Sequence, residues 1–170
     1  MSEKILIASD STTDLSPEQI EKYEIKIIPM GVTMGGKSYT DGVDINPDMI
    51  YDIYNQTGEL PKTSAINVAQ FEEFFEQYTS MGYSIVLFTI SSEMSSTFSN
   101  ARLAAEEYPN VHVVDTKNLS TGGGLLLVHA AEMAAAGNSA EEIVKECEAL
   151  APCVDASFVI DSLEFLYKGG

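Results

Sequence analysis

The sequence predicts an α/β fold, a mostly parallel sheet flanked by helices on both faces. Three observations carry this. Strand and helix signals alternate along the chain. The strand signal at Ser84–Ile90 is apolar at consecutive positions, as in strands covered on both sides. Capping patterns in which Ser or Asn is followed three residues later by Glu or Gln recur at Ser16, Asn67 and Ser139, each just before a helical periodicity.

Taken in order, Lys4–Ser9 is a β-rich opening. Ser16-Pro17-Glu18-Gln19 starts a helix, with proline at the first helical position, where no N–H is needed. Lys26–Met34 reads as a second strand, and Gly35-Gly36 turns the chain into a short Ser38–Thr40 segment. Asn46-Pro47-Asp48 starts a helix that Gly58 ends. Pro61-Lys62-Thr63-Ser64 reads as a polar loop between two helices. After Asn67, residues Val68, Phe71, Phe74, Phe75, Tyr78 and Met81 recur at three-to-four spacing and predict one buried helix face. Strand Ser84–Ile90 leads through a serine cluster into a helix carrying Phe98, Ala101, Arg102 and Ala105. Val111–Asp115 is a strand followed by a long Ala-rich helix, and Ser139-x-x-Glu142 opens another. Ala156–Ile160 reads as a last strand and Asp161–Lys168 as a helical turn or two.

Composition bounds what such a domain does. At 170 residues the chain has one domain's worth of length, and 45% hydrophobic content supports a core. Nine Lys+Arg against 26 Asp+Glu gives a net charge of -17. That is too acidic for nucleic acid, or for more than transient contact with an anionic membrane. The opening MSEKILIASD lacks the apolar core of a signal peptide, and Leu125–Ala136 is interrupted by His129 and Glu132. Cys147 and Cys153 match neither a C-x-x-C pair nor a disulfide framework, so they read as reduced thiols of a cytoplasmic protein.

The segment with most chemical content is Ile85–Phe98, IVLFTISSEMSSTF. In open α/β sheets ligands sit beyond the carboxyl ends of the strands. A helix N-terminus there offers unpaired N–H groups and the positive end of a dipole, and serine hydroxyls add donors without charge. This describes a seat for a small anion, held by local dipoles against the global field. Ser9–Asp14 follows the first strand and can line the same edge, or merely end the strand and cap a helix. The glycines in Ser120-Thr121-Gly122-Gly123-Gly124 allow close approach, either to a ligand or to a neighbouring element. No P-loop, G-x-G-x-x-G or G-x-S-x-G elbow occurs, which leaves nucleotide binding and a serine nucleophile at Ser92 or Ser95 without support. The spacing of Asp10, Asp14, Asp41 and Asp44 fits no EF-hand loop, and His112 and His129 stand in no zinc-ligand spacing.

Together these motifs resemble a known family. Asp10-Ser11-Thr12-Thr13-Asp14 resembles the D-S-T/S-x-D opening of the DegV family. Ile28-Pro29-Met30 with Tyr39, Asp41 and Gly42 is similar to its second-strand region, and Lys62-Thr63-Ser64 to its K-T-S-x-P loop. Ile90-Ser91-Ser92 through Met94-Ser95-Ser96-Thr97 resembles its S-S-x-L-S-G-T loop. Val114-Asp115-Thr116 before Ser120-x-Gly122, and Phe158–Asp161 with Leu163, Glu164, Leu166, Gly169 and Gly170, complete a colinear match.

The resemblance implies a DegV-like N-terminal lobe and a non-catalytic carrier. Members bind a long-chain fatty acid, and the characterised bacterial ones present it to a separate fatty-acid kinase that makes acyl phosphate for phospholipid synthesis. It places the carboxylate on the hydroxyls of Thr63 and Ser95, with Ser64 adjacent and backbone N–H groups near Ser96 helping. No cofactor is implied beyond the bound fatty acid. Three departures stand out: Ser96 replaces the usual glycine, Ala65-Ile66 replaces the usual Q-P, and the sequence stops at Lys168-Gly169-Gly170, where members continue into a second lobe. Residues 1–170 are therefore expected to form one lobe without that second lobe, leaving part of an acyl tunnel exposed. Two other classes stay open. One is a phosphotransfer or small-molecule kinase-related enzyme of the same fold group, which needs a histidine; the other is an interaction module without ligand.

Overall fold

The computed structural model describes residues 3–161 and 163–169. Met1, Ser2, Ser162 and Gly170 lie outside the described residues, so of the expected Gly169-Gly170 ending only Gly169 is described, and the expected Asp161–Lys168 helix includes one undescribed residue. In chain order the elements are β1 (Lys4–Asp10), α1 (Pro17–Lys22), β2 (Lys26–Ile28), β3 (Gly31–Met34), β4 (Lys37–Thr40), α2 (Pro47–Thr57), β5 (Lys62–Ser64), α3 (Val68–Thr79), β6 (Tyr83–Thr89), α4 (Thr97–Ala105), β7 (Val111–Asp115), α5 (Thr121–Ala135), α6 (Ala140–Leu150) and α7 (Glu164–Gly169). Single 3₁₀ turns stand at Ser11–Thr13 and Ala151–Cys153.

The main sheet has the order β2-β1-β6-β7, and every pair in it is parallel. Its register follows from burial on both faces. Leu6, Ala8, Ile85 and Leu87 pack against Phe71 and Phe75 of α3 and Ala101 and Ala104 of α4. Ile7, Val86, Phe88 and Val114 pack against Leu127 and Ala130 of α5 and Ile143 and Cys147 of α6. Pairing Leu6 with Ile85 and Ile7 with Val86 keeps both sets in place, whereas a one-residue slip would exchange them. All three predicted capping boxes form, at Ser16, Asn67 and Ser139.

The structure corrects four local expectations. Lys26–Met34 is not one strand: β2 stops at Ile28, and β3 belongs to a second, antiparallel sheet with the order β4-β3-β5. Pro29 has no N–H for a ladder, and the next residue turns its backbone elsewhere. Met30 N–H donates to Ser11 Oγ at 3.2 Å and its carbonyl accepts from Asp41 N–H at 2.9 Å. Lys62–Ser64 is not loop but β5, paired with Gly31–Thr33; three exposed polar residues carry no periodicity that would reveal it. Ala156–Ile160 forms no strand, and Phe158 and Val159 are 82% and 97% exposed, so no layer covers them. Met81 lies past the Ser80 cap of α3 and is exposed, while Phe71 and Phe75 of the same predicted face are fully buried.

The glycines at the start of α5 serve packing. A Cβ on Gly124 would lie 2.8 Å from the Thr13 carbonyl oxygen, and one on Gly122 would lie 2.6 Å from Asn118 Oδ1. Gly124→Ala is expected to lower the unfolding free energy by about 1–3 kcal/mol in urea titrations, because the first clash is with backbone. Of the two thiols, burial together with the nearby Glu146 pushes Cys147 up to about 11, and Cys153 is exposed. Iodoacetamide at pH 8 should therefore label Cys153 in the native protein and reach Cys147 only after denaturant is added.

Candidate functional site at the carboxyl edge of the parallel sheet

From β1 the chain steps to β2 on one side, and later places β6 on the other. The connections diverge at the carboxyl ends of β1 and β6, which is the position where open α/β sheets form a crevice. Three loops meet there and are tied in a closed circuit. Asp10, with no exposed surface, accepts from Thr12 N–H (3.0 Å) and Thr12 Oγ1 (2.6 Å) through Oδ1, and from Ile90 N–H (2.7 Å) through Oδ2. Ser91 N–H donates to the Asn118 carbonyl at 3.0 Å, and Ser120 N–H donates to the Thr12 carbonyl at 2.9 Å. The loops after β1, β6 and β7 thereby fix one another. Burial pushes the Asp10 carboxyl above its ordinary value, and the three donors pull against that shift.

The serine loop is a compact turn. The Ser91 carbonyl accepts from Met94 N–H (3.0 Å) and Ser95 N–H (3.2 Å), and Ser92 N–H donates to Asp115 Oδ1 (3.2 Å). Ser95 is half-buried and sits over the start of α4. Its Oγ accepts from Thr97 N–H at 3.2 Å and shares a hydrogen bond with Thr97 Oγ1 at 2.9 Å. Ser96 occupies the cap position with helical angles, φ -74° and ψ 0°, and its side chain caps nothing. That position needs no positive φ, so serine in place of glycine strains nothing there. The first-turn amides that follow have no intrahelical acceptors and stand at the positive end of the helix dipole.

Thr63 and Ser64 lie on β5, and both are exposed. Ser64 is paired with Gly31, and a Cβ on Gly31 would fall 2.4 Å from Ser64 Oγ, so the missing side chain is what gives the hydroxyl its room. Asn100 joins the two predicted segments: its Nδ2 donates to the Ile66 carbonyl at 2.8 Å. Asn100 is one helical turn from Ser96, to which its own N–H returns at 2.9 Å. From Ile66 the chain to Thr63 spans at most about 11 Å. Asn100 thus ties the helix that follows the serine loop to the segment that leaves the Lys62–Ser64 strand.

Other predicted residues lie elsewhere. His112 is near the amino end of β7, opposite this edge, and His129 lies in mid-α5 with a buried Nε2 that has no hydrogen-bond partner. Asp41 accepts from Ser11 Oγ at 2.7 Å, and Asp44 accepts from Thr40 N–H. Sequence reasoning left Asp10 either lining this edge or merely ending the strand, and missed Asn100 and Gly31. Asp10 had a usable signal, a carboxylate directly after an apolar strand; the other two have none, since their roles arise from contacts distant in sequence.

With this geometry in place, comparison with known proteins decides the family. Residues 4–170 match the DegV family, described as uncharacterised proteins. The chain belongs to the DegV family. A DegV domain-containing protein of Clostridium perfringens is 36% identical over 170 residues, covering 99% of this chain and 61% of that protein. A fatty-acid-binding DegV family protein of Thermus thermophilus superposes with a TM-score of 0.86 at 30% identity, over 98% of this chain and 60% of that one. A DegV lipid-binding protein of Thermotoga maritima gives 0.85 at 33% identity, over 98% and 61%. The chain therefore spans about three-fifths of the length of these DegV relatives. Among the described residues no helix is long and apolar enough to cross a membrane.

The raised Asp10 carboxyl has a signed consequence for this DegV fold. The native state holds the Asp10 proton more tightly than the unfolded chain does, so this group's stabilising contribution is full below the ordinary value of 3.8 and is lost as pH rises through the native titration. Urea stability of the wild type relative to Asp10→Asn should accordingly fall as pH rises from 3.8. A difference that grows with pH would contradict the burial argument.

Proposed function

We propose that this chain binds a long-chain fatty acid, its carboxylate seated on the hydroxyls of Thr63 and Ser95, with Ser64 and the backbone N–H groups after Ser96 completing the seat. The observation that carries the reading is the start of α4, where the Ser96 side chain caps nothing, beside the Ser95–Thr97 hydroxyl pair and tied by Asn100 to the segment that leaves β5. A carboxylate fits this set of groups because every one of them can donate, and a helix start favours negative charge. Affinity comes from the tail, at roughly 0.8 kcal/mol per buried CH₂, and orientation from the head group. The DegV proteins similar in structure that are described as binding fatty acid or lipid support the ligand class.

In this reading the protein is a cytoplasmic, non-catalytic carrier that presents the fatty acid to a fatty-acid kinase for acyl-phosphate formation, and residues 1–170 are one lobe of the carrier. A lobe alone leaves part of the tail's path open, in keeping with the exposed Phe158 and Val159.

The test is organic extraction and mass spectrometry of natively purified protein, followed by retention measurements on Ser95→Ala and Thr63→Val. Stoichiometric fatty acid is expected in the wild type. Each substitution removes one hydrogen bond to a charged group, about 1.5–3 kcal/mol, or roughly a 10- to 150-fold weaker Kd with unchanged far-UV circular dichroism. Retention unaffected by both substitutions would sink the assignment.

A further inference from the structure

A second feature of the carboxyl edge lies on the β2 side, away from the serine loop. A cavity of about 460 Å³ opens between the turn after β1, the end of β2 and the segment that leads into α2. Its floor is apolar, built from Leu15, Ile27 and Pro29, and its lining carries the carboxylates of Asp14 and Asp41 and no basic residue. Val43, 74% exposed, stands beside it.

One carboxylate of this cavity, Asp41, is held in place before anything binds, and Asp14 is exposed at its rim. Asp41 accepts from Ser11 Oγ at 2.7 Å through Oδ2, and its own N–H is tied to the Met30 carbonyl. The loop that presents Val43 is closed by Val43 N–H and Asp44 N–H, both bonded to the Thr40 carbonyl, and by Gly42 N–H bonded to the Ile45 carbonyl. Neither Asp14 nor Asp41 has a cationic partner, since the ion pair found among the described residues is Lys168–Glu164. Two uncompensated carboxylates over an apolar floor are complementary to a long cationic side chain, whose aliphatic stem covers apolar surface while its head meets the acids.

We infer that this cavity is a docking socket for a basic segment of a partner protein, with an arginine or lysine stem on Leu15, Ile27 and Pro29, the cationic head between Asp14 and Asp41, and an adjacent apolar residue of the partner on Val43. The net charge of -17 steers such a segment toward the protein as a whole, and the socket gives it a specific seat. This inference stands independently of the fatty-acid reading.

The experiment uses the intact chain and a fluorescent peptide of alternating leucine and arginine, with a leucine–glutamine peptide as its neutral counterpart. Binding is followed by fluorescence anisotropy at low and high salt and mapped by NMR amide shifts. The expected result is binding of the arginine peptide alone, with shifts centred on Ser11–Leu15 and Asp41–Val43. Asp14→Asn/Asp41→Asn should weaken it at least about tenfold, while the equal charge change Glu72→Gln/Glu73→Gln on α3 leaves it nearly intact. Asparagine keeps an acceptor for Ser11; should the double variant nevertheless misfold, Val43→Ser tests the apolar contact and should weaken binding without altering the carboxylates. Equal losses in the two charge variants, shifts away from the cavity, or equal binding of the neutral peptide would overturn the inference.

Discussion

The Asp10 carboxylate is the constraint on which the carboxyl edge depends. It sits at the end of β1 with no exposed surface and spends both oxygens on the protein, two contacts to Thr12 and one across to Ile90. Burying a carboxylate is costly unless it is hydrogen-bonded. That cost is what makes the arrangement specific: moving the turn after β1, or the start of the serine loop, would leave the carboxylate short of a donor. The turn in turn receives Ser120 N–H and packs against Gly124, so the position of α5 follows from the same group.

The proposed anion seat on so acidic a chain looks contradictory until distances are considered. The net charge of -17 acts over the whole surface and is screened beyond a Debye length of about 10 Å at 0.1 M salt. The donors at the start of α4 act at contact distance, where two hydroxyls and a helix dipole outweigh remote carboxylates. Under the proposed reading the long-range field and the short-range donors have separate work: one disfavours unrelated polyanions and anionic membranes, and the other would select a small anion that reaches the edge. The cavity on the β2 side has the opposite polarity within the same molecule, with carboxylates and no lysine or arginine in its lining.

The parallel sheet was legible because its strands are apolar on both faces and its helices carry capping boxes, both of which are local patterns. The second sheet was not. β5 is three exposed polar residues, and what makes it a strand is the free edge of β3 opposite. β3 itself was hidden inside one long apolar run, and only the combination of Pro29 with the side-chain demand of Ser11 on Met30 N–H divides that run. Ala156–Ile160 failed in the other direction, since its β propensity is high but no neighbouring strand receives it. At the candidate site, the residue types were readable from the serine cluster and the Lys62–Ser64 motif. The contacts that bring them together, Asn100 to Ile66 and Gly31 beneath Ser64, are long-range and left no local trace.

The pairing of β1 with β6 sets the order in which this chain can acquire its shape. Ser9 Oγ bonds the Phe88 carbonyl across 79 residues of sequence, so the centre of the sheet cannot close until the chain through Phe88 exists. Closing so long a loop is entropically slow, whereas the β3–β4 hairpin joins residues only a turn apart. Loop-closure entropy therefore favours the hairpin pairing over the pairing at the centre of the main sheet. The circuit of loops that binds Ile90, Asn118 and Ser120 to the end of β1 closes later still. The carboxyl edge is therefore a product of long-range contacts, and a nascent chain still short of β7 lacks the circuit of loops that fixes it.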